Sequence, residues 1–162
     1  MWTTASAGVA APPGAPPPPF AEPGAPPAAR IIAPRHEAAA VHMADGYART
    51  TGKPGVAFVT AGPGVTNAIT GVANAYMDAI PLICIAGRSP MRDDDHLPLQ
   101  GMDQVALMAP ITKFARTVLQ PERIAEYLVM AWRQATSGRP GPVFLDIPID
   151  VAFTPVEPDR IP

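Results

Sequence analysis

The stretch Gly55-Val56-Ala57-Phe58-Val59-Thr60-Ala61-Gly62-Pro63-Gly64-Val65-Thr66-Asn67-Ala68-Ile69 decides the fold. An apolar, partly β-branched run over residues 56–60 breaks at Gly62-Pro63-Gly64 and restarts as small residues at helical spacing. That order predicts a buried strand, a tight turn and a helix start, the unit of parallel α/β sheets. The glycines withdraw side chains where backbone could approach a ligand, Pro63 restrains one φ angle, and Thr66 or Asn67 is placed to cap the helix. Ligands of open α/β sheets bind at the carboxyl ends of strands, so this turn is the first place to look for a site. A P-loop needs Lys and then Ser/Thr after its second glycine, where Val65-Thr66 stands. A dinucleotide fingerprint needs a small residue in place of Asn67 and an acid closing the next strand, which instead ends in Gly87-Arg88. With both phosphate cradles excluded, the turn reads either as meeting a neutral polar ring or carbonyl, or as purely structural.

Upstream, residues 29–34 read as a short strand ended by Pro34, followed by Arg35-His36-Glu37 and an Ala-rich helix over 38–50, stopped by Gly52 and Pro54. Glu37 thus falls at a strand-to-helix junction, as a functional acid or as a first-turn capping acid. Downstream, a helix over 66–78 has small residues Ala68, Gly71 and Ala75 on one side, buried in the core or against another chain. Residues 81–86 are the next buried strand, and 88–110 form a long connection. In that connection Arg92-Asp93-Asp94-Asp95-His96 is read as a solvated loop rather than a metal site, since consecutive carboxylates diverge. Leu99-Gln100-Gly101-Met102-Asp103 differs, setting an amide and an acid among apolar residues; a short helix over 103–108 and a strand over 112–119 follow. Pro121 opens an amphipathic helix whose stripe, Ile124, Leu128, Ala131, Trp132 and Ala135, is assigned to core packing. Residues 142–147 make the last buried strand.

Composition narrows the classes further. A length of 162 residues gives one domain, and 12 basic against 14 acidic side chains give a net charge of −2. Nothing electrostatic favours nucleic acid or an anionic membrane, and no run is long and apolar enough to span a bilayer. With no secretory signal pattern and a lone Cys84 in a buried strand, the expected compartment is the cytoplasm. Ten of the 23 prolines fall within the first 34 residues, so 1–29 is expected to be a disordered Ala/Pro/Gly-rich tail. Residues 30–152 form the domain, and 153–162 read as the start of a linker.

Four ordered blocks carry a family resemblance: Arg35 through Arg49, Gly52 through Val56 followed by Thr60 through Asn67, Pro81 through Arg88, and Phe144 through Val151. Together they resemble the pyrimidine-binding domain of thiamine-diphosphate-dependent enzymes, in the branch containing acetolactate synthase. The resemblance implies a three-layer fold, an open parallel sheet flanked by helices. The first strand and helix of that fold are expected to be missing, with the proline-rich tail in their place.

The resemblance also implies roles. Glu37 matches the glutamate that hydrogen-bonds N1′ of the aminopyrimidine and activates the cofactor for attack on 2-oxo acids. Pro63 and Asn67, with Gly62 and Gly64 beside them, match the lining of the pyrimidine pocket. Gln100 matches a substrate-side glutamine, although Gly101 follows where the family has an acid. The implied cofactor is thiamine diphosphate, with Mg2+ held by a diphosphate-binding domain absent from this chain and FAD possible only in a full-length enzyme. No metal ligand is assigned here. The implied partner is a diphosphate-binding domain or subunit, in a homo- or hetero-oligomer of transferase or lyase type. The chain is then either a separate subunit or a truncated product. Other readings are a 2-hydroxyacyl-CoA lyase or oxalyl-CoA decarboxylase domain, or a non-catalytic remnant that binds a partner through the 66–78 helix.

Overall fold

The computed structural model describes residues 6–9, 30–96 and 98–157. Its strands are β1 (Ser6–Val9), β2 (Arg30–Ile32), β3 (Gly55–Val59), β4 (Leu82–Arg88), β5 (Phe114–Thr117) and β6 (Pro142–Pro148). The helices are α1 (Glu37–Thr51), α2 (Pro63–Met77), α3 (Gln104–Met108), α4 (Ile124–Thr136) and α5 (Ile149–Ala152). One sheet runs in the order β2-β1-β3-β4-β6-β5. The four strands β3, β4, β6 and β5 are mutually parallel, and β1 lies antiparallel to both β2 and β3.

Side chains alternate across the sheet, and each face finds its own helices. On one face Ala57, Leu82, Cys84, Ala86 and Phe144 meet α1, α2 and α3 through Val41, Ala44, Val65, Val72 and Met108. On the other, Ile83, Ile85, Val143 and Leu145 meet Ala131 and Ala135 of α4 and Val151 of α5. This is the α/β fold with a flanked parallel sheet that the sequence implies. Burial raises the Cys84 thiol to about 12, so it is a neutral packing group.

The joint between α1 and its neighbours is made by glycine. A Cβ on Gly55 would stand 2.0 Å from the Ala44 carbonyl oxygen, and one on Gly71 would stand 2.7 Å from Val41 Cγ1. The small side of α2 is therefore closed by α1 of the same chain, which removes it as the docking face of an interaction module.

Three expectations are corrected. Within the tail assigned to 1–29, residues 6–9 form β1, where pairing with two strands distant in sequence outweighs weak local propensity; residues 1–5 and 10–29 lie outside the described residues, as do 158–162 of the linker. The α4 stripe is narrower than its apolar positions: Ala131 and Ala135 are buried, but Trp132 is 48% exposed, because the sheet takes the edge of the helix that carries Ile124, Tyr127, Ala131 and Ala135. Finally, α2 begins at Pro63 rather than residue 66.

Candidate functional site

Helix α1 delivers Glu37 to the carboxyl end of β3. Its N-cap is His36, in extended geometry, whose Nδ1 accepts from the Ala38 N–H at 3.2 Å. Capping thus falls to His36, which frees the Glu37 carboxylate to turn inward. Glu37 is only 5% exposed, and its Oε2 accepts from Asn67 Nδ2 at 3.0 Å. Oε1 has no hydrogen-bond partner among the described residues. That oxygen is left open to accept a hydrogen bond from a ligand or from solvent.

The glycine turn makes this approach possible. A Cβ on Gly64 would lie 2.5 Å from Thr60 Cγ2 and 3.3 Å from Glu37 Oε1, so only glycine lets the turn pass beneath the acid. Gly62 takes φ +61° and serves as the N-cap of α2 without a side-chain bond. Neither Thr66 nor Asn67 caps that helix: Thr66 Oγ1 donates to the Pro63 carbonyl at 2.8 Å, and Asn67 is held by Glu37. The first-turn amides also turn inward, with Val65 and Thr66 donating to the Gly62 carbonyl at 2.9 and 3.2 Å. Pro63 stands exposed at the head of the helix.

Gln100 adopts φ +65° and lies with its backbone against Gly62, where a Cβ would come 2.7 Å from its carbonyl oxygen. It lines a groove of about 480 Å³ at the carboxyl ends of the strands, together with Thr60, Gly87, Leu99, Ile149 and Phe153. No hydrogen bond joins Gln100 to Glu37 among the described residues. The structure therefore brings Glu37, Asn67 and Gly64 into direct contact and sets Gln100 against Gly62. The Met91–His96 segment is a 3₁₀ turn on the surface, where Asp94 pairs with Arg88 at 2.8 Å. Among the described residues no three His, Cys, Asp or Glu side chains gather as metal ligands.

One polar residue escaped the sequence reading. Gln104, 1% exposed at the start of α3, accepts from the Gly62 N–H at 2.7 Å through Oε1. Its Nε2 donates to the Gly87 carbonyl at 3.0 Å and to Asp146 Oδ2 at 3.2 Å. The available signal was helical spacing, which sets Gln104 one turn before the fully buried Met108.

Asp146 itself is completely buried on β6, and Arg88 Nη1 lies 3.7 Å from its Oδ2. Burial raises its carboxyl above the ordinary range, while Thr117, Gln104 and Arg88 pull the other way. A raised folded-state value means that the native state holds the proton more tightly than the unfolded chain. Stability from this group is then complete below the unfolded value and declines as pH rises through the folded one. Asp146→Asn keeps an acceptor for Gln104 and removes the charge. Its melting temperature relative to the native chain is expected to climb between about pH 3 and pH 7. A difference that shrinks over that range would mean that attraction to Arg88 outweighs burial.

Similarity to known proteins agrees with this arrangement. Residues 13–107 match the family described as thiamine pyrophosphate enzyme, N-terminal TPP binding domain. The chain is 50% identical over 117 residues to the acetolactate synthase isozyme 3 large subunit of Escherichia coli K12, covering 72% of this chain and 20% of that protein. It is 44% identical over 132 residues to acetolactate synthase of Arthrospira platensis (78% of this chain, 23% of the relative). It is 43% identical over 128 residues to a probable acetolactate synthase large subunit of Methanocaldococcus jannaschii (79% and 22%). The chain spans about a fifth of the length of the curated relatives it matches. A buried acid over a Gly-Pro-Gly turn, within a sequence matched over more than half its length, places the chain in the thiamine pyrophosphate enzyme family as an acetolactate synthase-like N-terminal TPP-binding domain.

Proposed function

We propose that this chain supplies the aminopyrimidine-binding half of a thiamine-diphosphate enzyme that acts on 2-oxo acids by carboligation or decarboxylation, a reading supported by relatives named acetolactate synthase. The observation that carries the reading is the Glu37 carboxylate, buried, held through Oε2 by Asn67 and unpartnered at Oε1. Bound cofactor would supply the carbon nucleophile that adds to a 2-oxo acid. The chain's own part is to offer Glu37 Oε1 to the ring nitrogen N1′ and to take or return a proton there. Asn67 keeps the carboxylate from swinging away, and burial strengthens its hydrogen bond by excluding water. Gly62 and Gly64 let the turn lie close against Gln100 and Glu37, which would shape its outer side for a flat ring, with Pro63 as an apolar wall. Gln100, on the groove side of Gly62, is assigned to the substrate.

The reading extends to what lies beyond this chain. Mg2+ and the diphosphate would be held by a diphosphate-binding domain or subunit, FAD would enter only in the complete enzyme, and the assembly would be a cytoplasmic oligomer. Among the described residues no helix is long and apolar enough to cross a membrane. Isothermal titration with thiamine diphosphate and Mg2+ tests this reading, run with and without a chain carrying the diphosphate-binding domain. Saturable binding in the mixed sample is the expected result. Absence of heat in both samples would remove the cofactor from the account.

A further inference from the structure

Resting on that reading of the glycine turn, we propose that Gln104 is the positioning residue of the pyrimidine site. It acts through the Gly62 amide and sets where Gly64, Asn67 and Gln100 stand. Both ends of its carboxamide are engaged: Oε1 takes the Gly62 N–H, and the two Nε2 hydrogens go to the Gly87 carbonyl and Asp146 Oδ2. The orientation cannot be reversed, because the Gly62 amide only donates and the Gly87 carbonyl only accepts. One side chain therefore ties together the ends of three parallel strands, β3, β4 and β6.

The turn depends on this tie. Gly62 stands at φ +61° and ψ −111°, outside helical or strand geometry and without a side-chain cap. Its N–H bond to Gln104 is what orients that peptide. Two residues on, Gly64 passes under Glu37, and Asn67 reaches the same carboxylate from α2. On the opposite side the Gln100 backbone packs on Gly62, four residues from Gln104 in the same segment. Gln104 thus fixes the cofactor side and the groove side of the turn against one another. A residue that merely filled core space would need neither a donor nor an acceptor at this position.

Two variants test the role in the chain assembled with a diphosphate-domain partner and Mg2+. Gln104→Met keeps volume and loses all three bonds. It is expected to weaken thiamine diphosphate binding about 10–100-fold, the scale of leaving buried partners unpaired. Exchange of the Gly62 amide should quicken at least about tenfold, beyond any change in neighbouring core amides.

Gln104→Glu keeps an acceptor for Gly62 and, when protonated, one donor. The new carboxyl would face Asp146 on β6 and Asp103 at the N-cap of α3, with Arg88 of β4 as the nearby cation. Its cofactor affinity is expected near native at pH 5 and to fall about tenfold relative to the native assembly by pH 8 as it ionises. Because this series reads one folded protein against pH, it holds even where the methionine variant folds poorly. Unchanged affinity in Gln104→Met together with no added slope in Gln104→Glu would overturn the role while the functional reading stands. Failure of the native assembly to bind the cofactor would overturn both.

Discussion

Glu37→Gln, in the chain assembled with its diphosphate-binding partner, is expected to lower turnover by about 10²–10⁴-fold with the cofactor saturating. Glutamine is nearly isosteric, and its carbonyl can still accept from Asn67 Nδ2, so the local packing survives. What disappears is the ionisable oxygen, now unpartnered, that would meet N1′. The loss should fall on kcat rather than on the substrate KM, because the substrate does not touch this residue in the proposed arrangement. A first-turn acid that served only its helix would behave otherwise. It would cost about 0.3–1 kcal/mol of stability and leave turnover intact. His36 already performs the capping, so little of that stability is expected to be at stake. A reduction of only a few-fold in kcat would exclude Glu37 from proton transfer.

The second large effect is on the fold. Gly55→Ala is expected to destabilise the chain by about 3 kcal/mol or more, the upper end of overpacking penalties. The new Cβ would stand 2.0 Å from the Ala44 carbonyl oxygen, 2.5 Å from its carbon and 2.9 Å from its Cα. These are main-chain atoms of a 15-residue helix, so no rotamer change relieves them and α1 must lift from β3. Gly46→Ala on the same helix is the control: its Cβ meets nothing within 4 Å. Removing a glycine from a helix interior should stabilise by up to about 1 kcal/mol. Urea midpoints of the two variants, with slopes unchanged, check both signs. A neutral Gly55→Ala would mean that α1 does not sit on β3 as described. Since α1 also carries Glu37, any displacement should weaken the site as well.

Much of this architecture was legible in the residues. Runs such as 56–60, 81–86 and 142–147 are apolar on both faces, which is what a strand with helices on each side requires. Gly62-Pro63-Gly64 announces a turn because few residues tolerate φ near +61°, and proline suits the first helical position. The resemblance to thiamine-diphosphate enzymes implies that Glu37, Gly64 and Asn67 share one site, and the fold brings the three into contact. What the linear order concealed was partnership. Thr66 and Asn67 have the chemistry of caps, yet Asn67 is drawn to a carboxylate thirty positions away. Trp132 belongs to an apolar helical stripe, but the sheet beneath α4 is reached first by the alanines.

Apart from β1, local chemistry thus set which segments become strands, helices and turns, because propensity and periodicity act over a few neighbouring residues. Assignment of each polar group to its partner was settled by the folded sheet. β1 is a strand since two distant strands offer it hydrogen bonds, and Gln104 is a hub since three strand ends converge where its amide emerges. Buried donors and acceptors must be matched wherever the packing brings them, and that matching is a property of the whole fold rather than of any window along the chain.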